Sequence, residues 1–179
     1  MAAKHKSATP KLAAAKQSGG KQSGGKQTGR KQGGPKHGGA KDKDGRQFAA
    51  LPLMVRDGET MVMLLTSRRT RRWVLPKGWA EPELQPHELA AKEAFEEAGL
   101  QGQMEQQPIG SYRYDKLLRG GKSMLCEVGV YAMWVEQQLP DWPERKQRET
   151  RWFGLSEAAL AVEEGELATL LLRLAAPVD

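Results

Sequence analysis

The sequence of 179 residues has little of what disulfide-bonded or membrane-spanning proteins need. Cys126 is its single cysteine, so the chain forms no internal disulfide, which is typical of proteins from a reducing compartment. Cys126 stands in an apolar, strand-like run and is expected in the core. No apolar run reaches the roughly 18 residues of a membrane-spanning helix, and the first residues lack the apolar stretch of a secretory signal. We therefore expect a cytoplasmic protein without a membrane span.

Acidic residues are absent from residues 1–41, and no aromatic residue precedes Phe48. This segment carries +10 against +6 for the whole chain, so the remainder carries −4. Lysine recurs there at every fifth position among glycine and glutamine, a period that fits neither helix nor strand. Because such a composition buries little apolar surface, we expect a disordered tail over residues 1–45 and one folded domain over residues 46–176.

The basic tail is suited to a polyanion or nucleic-acid contact through residues 1–41, held by salt-sensitive attraction. Without aromatic side chains, stacking on bases is not expected of it. A solubilising extension with no partner would have the same composition, and the sequence leaves both interpretations open.

Three glutamates stand in a segment whose pattern predicts a helix. Apolar residues recur at helical spacing between Pro86, which suits a first turn, and Gly99, which suits the position after the last turn. On that helix Glu93, Glu96 and Glu97 share one strip, where like charges cost roughly 0.2–0.5 kcal/mol per pair. The strip is either a solvated acidic surface or a site for Mg²⁺, which prefers carboxylate oxygens.

Short strands are predicted on both sides of this helix. Asp57-Gly58 is a strong hairpin signal, whereas Pro52 indicates an edge strand or a bulge. Ser156 is expected to cap a helix near the C-terminus, and residues 163–174 are expected to continue that helix or to form another. The predicted strands cover residues 48–55, 60–66, 72–76, 108–118, 123–135 and 151–155. These elements predict an α/β (α+β) domain with helices packed on a mixed sheet.

The segment from Gly78 to Leu100 resembles the Nudix box, in which a glycine, four glutamates, an arginine and a second glycine stand at fixed spacing. Two positions depart from that pattern, since Leu84 replaces the first glutamate and Lys92 replaces the arginine. In the family that pair is thought to support the loop and helix, so we expect altered support and intact metal carboxylates. The positions that fall in register are Gly78, Glu93, Glu96, Glu97, Gly99 and Leu100.

The resemblance implies an α/β/α sandwich that hydrolyses a diphosphate linked to another group, with Mg²⁺ or Mn²⁺. It implies that Glu93, Glu96 and Glu97 bind the metal and that Glu96 and Glu93 act in catalysis, with the order within the trio open. Gly78 would let the backbone approach the phosphates, and Lys77 would add positive charge beside them.

An arginine cluster precedes the box in a predicted loop, and arginine suits phosphate through its forked donors. The cluster, followed by Trp-Val-Leu-Pro-Lys-Gly, is similar to the diphosphoinositol polyphosphate phosphohydrolases, which also cleave dinucleoside polyphosphates. RNA 5′-pyrophosphohydrolases share Pro-Lys-Gly and remain an alternative. A non-catalytic Nudix-fold protein that binds RNA or another polyanion is a second alternative. The predicted substrate-binding residues are Arg68, Arg69, Arg71, Arg72, Lys77 and Gly78, and the oligomeric state stays open.

Overall fold

The computed structural model describes residues 45–176, so residues 1–44 of the predicted tail lie outside the described part of the chain. Those described residues form eight strands and three α-helices. The strands are β1 Arg46–Arg56, β2 Glu59–Thr66, β3 Trp73–Val74, β4 Lys77–Trp79, β5 Leu100–Met104, β6 Gly110–Leu117, β7 Ser123–Gln138 and β8 Thr150–Gly154. The helices are α1 Pro86–Ala98, α2 Leu155–Ala161 and α3 Gly165–Ala175.

All eight strands belong to one mixed sheet whose principal order is β3-β2-β1-β7-β5. The pairing of β1 with β7 is parallel, and the other pairings are antiparallel. Strand β7 is long enough for β6 and β5 to pair with successive halves of it. The predicted mixed sheet with packed helices is therefore confirmed.

Alternation along the central strands separates two apolar cores, one on each face of the sheet. Ala50 of β1 and Met63 of β2 pack with α1, whereas Leu51 and Leu64 pack with α2 and α3. Because successive side chains of a strand point to opposite faces, each strand supplies both cores. The result is the predicted three-layer arrangement, with α1 alone on one side. Cys126 is buried, as its apolar surroundings predict.

Pro52 lies in the interior strand β1, which pairs with β7 in unbroken register through Pro52, so the predicted edge strand or bulge is wrong. One side of β1 pairs with β4 up to Ala49 and with β2 from Leu53 onward. The N–H of Ala50 points to that side and donates to the Pro76 carbonyl. The backbone nitrogen of Pro52, two residues later, points to that same side, at the place where β1 leaves β4 and has not yet paired with β2. Proline has no N–H to donate there, and no hydrogen bond of the sheet is lost.

Other elements also differ from expectation. The strand predicted over residues 72–76 is the shorter β3, and strands β4 and β5 were not predicted. Helix α2 begins at Leu155 rather than after a Ser156 cap. The hairpin prediction is confirmed, since Asp57 and Gly58 both have positive φ (53° and 82°) between β1 and β2. No helix among the described residues is long and apolar enough to cross a membrane.

Candidate functional site

A cavity of about 1010 Å³ opens where α1, β4 and β6 meet residues 67–72, the loop between β2 and β3 that carries the arginine cluster and is called the arginine loop. Every predicted site residue except Arg71 lines it, although these residues come from separate segments of the chain. The predicted residues along its wall are Arg68, Arg69, Arg72, Lys77, Gly78, Glu93, Glu96 and Glu97. The fold thus brings the box carboxylates and most of the arginine cluster to one place.

The helix that carries the carboxylates is fixed at both ends. Pro86 occupies its first turn, and the Glu88 side chain accepts a hydrogen bond of 2.9 Å from the Gln85 N–H. Gly99 ends it in the left-handed conformation, with φ 68°. Because Glu93, Glu96 and Glu97 lie in the last two turns, the position of this C-terminal end also sets the position of the carboxylates.

The last residue of β7 and the segment that follows it cap that C-terminal end. The Glu144 N–H donates to the Glu96 carbonyl over 3.0 Å, and the Trp142 indole N–H donates to the Glu97 carbonyl over 3.2 Å. The Gln138 side chain donates to the Ala98 carbonyl over 3.0 Å. Helix ends leave such carbonyls without intrahelical partners, so the segment 138–144 satisfies them from outside the helix.

Gly78 is required by the closeness of Glu93. A Cβ at position 78 would lie 1.9 Å from Glu93 Oε1, so a larger residue cannot stand there while this carboxylate keeps its place. Burial, followed by repulsion from Glu97 and Glu96, raises the pKa of Glu93 to about 7. Such crowding of like charge is relieved by a cation.

Glu97 is the most enclosed carboxylate of the three, with a side chain 10% exposed. Its Oε2 accepts a hydrogen bond of 3.1 Å from the Lys77 backbone N–H. Its Oε1 forms an ion pair with Arg148, whose side chain is 7% exposed. Burial raises the pKa of Glu97, and the charges of Arg148 and Lys77 oppose that rise.

Arg148 and Glu144 belong to the site but were not predicted from the sequence. Arg148 Nε lies 2.6 Å from Glu144 Oε2, and Arg148 Nη1 donates to the Thr66 carbonyl over 3.1 Å. Both residues line the cavity. They stand in a charged segment without periodicity or a motif, about fifty residues beyond the box, so no local signal indicates them.

The arginine loop is held by ion pairs rather than left free. Arg68 lies 3.0 Å from Glu144, and Arg72 lies 3.1 Å from Glu163 and 3.4 Å from the buried Glu164. Arg71 pairs with Glu149, away from the cavity lining. Among the described residues, Arg69 has no ion-pair partner. A phosphate group in the cavity would therefore contact arginine side chains that ion pairs with carboxylates already hold in position.

Lys77 stands at the junction of the basic and acidic walls. Burial lowers the pKa of its amine to about 8, although the negative charges of Glu97 and Glu164 oppose the change. The amine lies 5.6 Å from the centre of the Tyr114 ring. A weakly hydrated lysine at this depth is suited to a phosphate oxygen, which would replace the water that burial removes.

The two departures from the box have a structural counterpart. Lys92 Nζ lies 2.8 Å from Glu81 Oε1, so the lysine has an acidic partner three residues before Leu84. The loop and the helix are thus joined by an ion pair despite the apolar Leu84. The loop and the helix are joined differently from the family pattern, as expected, and the acidic partner of Lys92 is Glu81, which the sequence did not indicate.

The donor chemistry of the site fits a hard divalent cation. Glu93, Glu96 and Glu97 supply only oxygen, the ligand type of Mg²⁺ and Mn²⁺. Within residues 45–176, no three Asp, Glu, His or Cys side chains lie close enough together to hold a metal ion as they stand. The Arg148 guanidinium, bound between Glu97 and Glu144, places a positive charge among these carboxylates.

Comparison with known proteins identifies the family. The NUDIX domain model matches residues 45–173. The chain is 35% identical over 105 residues to Nudix hydrolase 12, mitochondrial, of Arabidopsis thaliana, covering 54% of this chain and 49% of that protein. It is 31% identical over 121 residues to diphosphoinositol polyphosphate phosphohydrolase 3-beta of Bos taurus, covering 65% and 70%. The chain spans about half the length of three curated Arabidopsis relatives that it matches.

Solved structures agree on the fold. A C. elegans Ap4A hydrolase has a TM-score of 0.52 at 17% identity, covering 72% of this chain and 94% of that one. A Nudix hydrolase from Nitrosomonas europaea has a TM-score of 0.55 at 17% identity, covering 73% and 87%. Together with the family model, the sheet and the carboxylate helix, these likenesses define the class of protein. The chain belongs to the Nudix hydrolase family.

Proposed function

We propose that this protein is a metal-dependent hydrolase that cleaves a diphosphate bond in a polyphosphorylated small molecule. The observation that supports it best is one cavity lined both by Glu93, Glu96 and Glu97 and by the arginine loop with Lys77. The glutamates suit a cation, and the arginines with Lys77 suit phosphate, so the cavity can bind a cation and a phosphate chain side by side.

In this proposal Glu93, Glu96 and Glu97 hold Mg²⁺ or Mn²⁺, which supplies neutralisation of phosphate charge and activation of water. Glu96 or Glu93 accepts the proton of the attacking water. The cavity side of the arginine loop binds the remaining phosphates, and Gly78 allows their close approach. Arg71, which pairs with Glu149, is the weakest of the proposed substrate contacts.

The substrate class that we propose is a diphosphoinositol polyphosphate or a dinucleoside polyphosphate. The cavity is large enough for a ligand with several phosphates. The bovine relative, named for diphosphoinositol polyphosphate, supports the first of these substrates. A 5′-triphosphorylated RNA end would use the same cation and the same basic wall, and it is the alternative that the experiment must exclude.

A non-catalytic role is favoured by one observation, the ion pair between Arg148 and Glu97, which occupies a box carboxylate. In that case the protein would bind RNA or another polyanion, and the basic residues 1–41 would carry part of the affinity. Location in the cytoplasm and the role of the tail stay predictions.

The test is phosphate release from a panel of substrates, with and without Mg²⁺ or Mn²⁺. The panel contains diadenosine polyphosphates, inositol pyrophosphates, ADP-ribose and 5′-triphosphorylated RNA. We expect turnover of one of the first two classes, lost on chelation and reduced at least a hundredfold in Glu96→Gln. Glu83→Gln, an exposed glutamate outside the cavity lining, is the matched control and keeps full activity.

If the protein hydrolysed 5′-triphosphorylated RNA in preference to the small molecules, the proposed substrate would be wrong and the RNA 5′ end would take its place. Retained activity in Glu96→Gln would refute the assigned role of this residue. No turnover of any substrate, together with salt-sensitive RNA binding that is lost on removal of residues 1–41, would support the non-catalytic role.

A further inference from the structure

Arg148 is a buried cation within the acidic wall of the cavity. Its guanidinium contacts Glu97 through Nη2, Glu144 through Nε and the Thr66 carbonyl through Nη1. Only 7% of its side chain is exposed, and only 10% of the Glu97 side chain. An arginine keeps its charge at any ordinary pH, so the pair places a permanent positive charge beside the box helix.

This charge balances a carboxylate that would otherwise be costly to bury. Removing a charged group from water is expensive unless a partner compensates it. Glu97 has two partners, Arg148 on Oε1 and the Lys77 backbone N–H on Oε2, and Glu144 adds a further negative charge nearby. Both oxygens of Glu97 are therefore engaged by protein donors, at the position that the box assigns to a metal ligand.

We propose that Arg148 and a divalent cation compete for Glu97, so that the guanidinium holds this carboxylate until a cation replaces it. The inference rests on the proposed role of Glu97 as a cation ligand. Arg148 is a positioning residue in this scheme, because it acts on the site through Glu97.

The contacts of Arg148 suit such an exchange. The bonds to Glu144 and to the Thr66 carbonyl use Nε and Nη1, whereas the bond to Glu97 uses Nη2. Loss of the Glu97 contact thus breaks one of three anchors and leaves the side chain tethered. Glu144 is in turn held by Arg68 over 3.0 Å, so the anchor itself is fixed.

Exchange also has an electrostatic reason. A divalent cation carries twice the charge of a guanidinium and would interact with Glu93 and Glu96 as well as with Glu97. Glu93, Glu96 and Glu97 line the same cavity, and repulsion among these like charges is the interaction that a bound cation would relieve. In contrast, a ligand that merely needs support from a neighbouring arginine would bind metal more weakly once that arginine is removed. Removal of Arg148 should therefore strengthen cation binding if the arginine competes for Glu97 and weaken it if the arginine only supports Glu97.

The test is the affinity for Mn²⁺ in the absence of substrate, measured from free Mn²⁺ by electron paramagnetic resonance on the full chain. We expect Arg148→Gln to bind Mn²⁺ at least tenfold more tightly than wild type. Arg151→Gln is the matched control, since it removes an arginine from an exposed pair with Glu157, and it leaves the affinity unchanged. Equal or weaker binding by a folded Arg148→Gln protein, or no binding by either protein, overturns the proposal.

A crystal structure of the wild type with Mg²⁺ keeps the proposal testable if Arg148→Gln fails to fold. We expect the contact between Arg148 Nη2 and Glu97 to be open when the cation is present, with the Glu144 contact retained. An intact Arg148–Glu97 pair beside a bound cation overturns the proposal. Because neither measurement uses substrate, tighter Mn²⁺ binding without any turnover would uphold the exchange and refute the proposed function.

Discussion

The indole ring of Trp142 lies directly over Gly99, at a point where a Cβ would be 2.6 Å from the ring. Gly99 also has a φ of 68°, a conformation that side chains other than glycine adopt with strain. Two separate constraints therefore act on this one position, and both concern the end of the helix that carries the carboxylates.

The first prediction concerns Gly99→Ala. We expect it to lower the free energy of unfolding by about 2–5 kcal/mol. The left-handed conformation costs a residue with a Cβ about 1–2 kcal/mol, and overlap with Trp142 is a form of overpacking that costs about 1–3 kcal/mol. Gly58→Ala is the control, since Gly58 has a φ of 82° and nothing within 4 Å of the added Cβ. Chemical denaturation measures the free energy of unfolding of both variants. An equal loss in the two would mean that overlap with Trp142 does not contribute to the destabilisation.

Gly78→Ala should remove function while leaving the fold intact. The new Cβ would overlap Glu93 Oε1, so we expect this carboxylate to move and the Mn²⁺ affinity to fall at least tenfold. Gly154→Ala, with open space around its Cβ, should bind Mn²⁺ as wild type does. Unchanged Mn²⁺ affinity in a folded Gly78→Ala protein would show that the position of Glu93 does not govern the site.

A third prediction follows from the pKa of Glu93, which is raised from 4.5 to about 7. Between these values the folded state binds more protons than the unfolded state, so stability decreases as pH rises. The contribution of Glu93 is fully present below about pH 4.5 and is lost as pH passes 7. Metal-free wild type should therefore lose stability from pH 5 to 8, and Glu93→Gln should lose less. Denaturation curves with parallel pH dependence in the two proteins would contradict this.

The pair of Lys92 and Glu81 should contribute little to stability. Both side chains are more than a third exposed (38% and 39%), and surface ion pairs contribute about 0–1 kcal/mol. A double-mutant cycle with Lys92→Ala and Glu81→Ala is expected to give a coupling free energy below about 1 kcal/mol, smaller still at high salt. A coupling above about 2 kcal/mol would assign the pair a larger part in holding the loop against the helix.

Local signals were sufficient for the elements that carry them. The carboxylate helix was predicted because Pro86, the apolar repeat and Gly99 all lie within it. The hairpin at Asp57-Gly58 was predicted for the same reason. Strand β5 has alternating exposure but contains two glutamines and a glycine, so only its pairing with β7 makes it a strand.

Contacts between distant segments could not be predicted in this way. Arg148 and Glu97 are 51 positions apart, and their pairing depends on how the segment after β7 folds back on α1. The partners of the arginine loop are more distant still, since Arg72 and Glu163 are 91 positions apart. The loop was predicted as a phosphate site from its arginines and its place before the box, whereas its ion pairs with distant glutamates depend on the fold.

The capping of α1 by residues 138–144 restricts how this protein can vary in length. Loops usually tolerate inserted residues, but here the Glu144 N–H and the side chains of Gln138 and Trp142 each bind one helix carbonyl. The Leu139 N–H binds the carbonyl of Gly99, the residue that ends the helix. One extra residue would shift these donors out of register with the helix turn. The turn at Gly120 and Gly121, where added atoms meet nothing within 4 Å, carries no such restriction. Length variation among relatives should therefore accumulate at that turn, and residues 138–144 should keep a constant length.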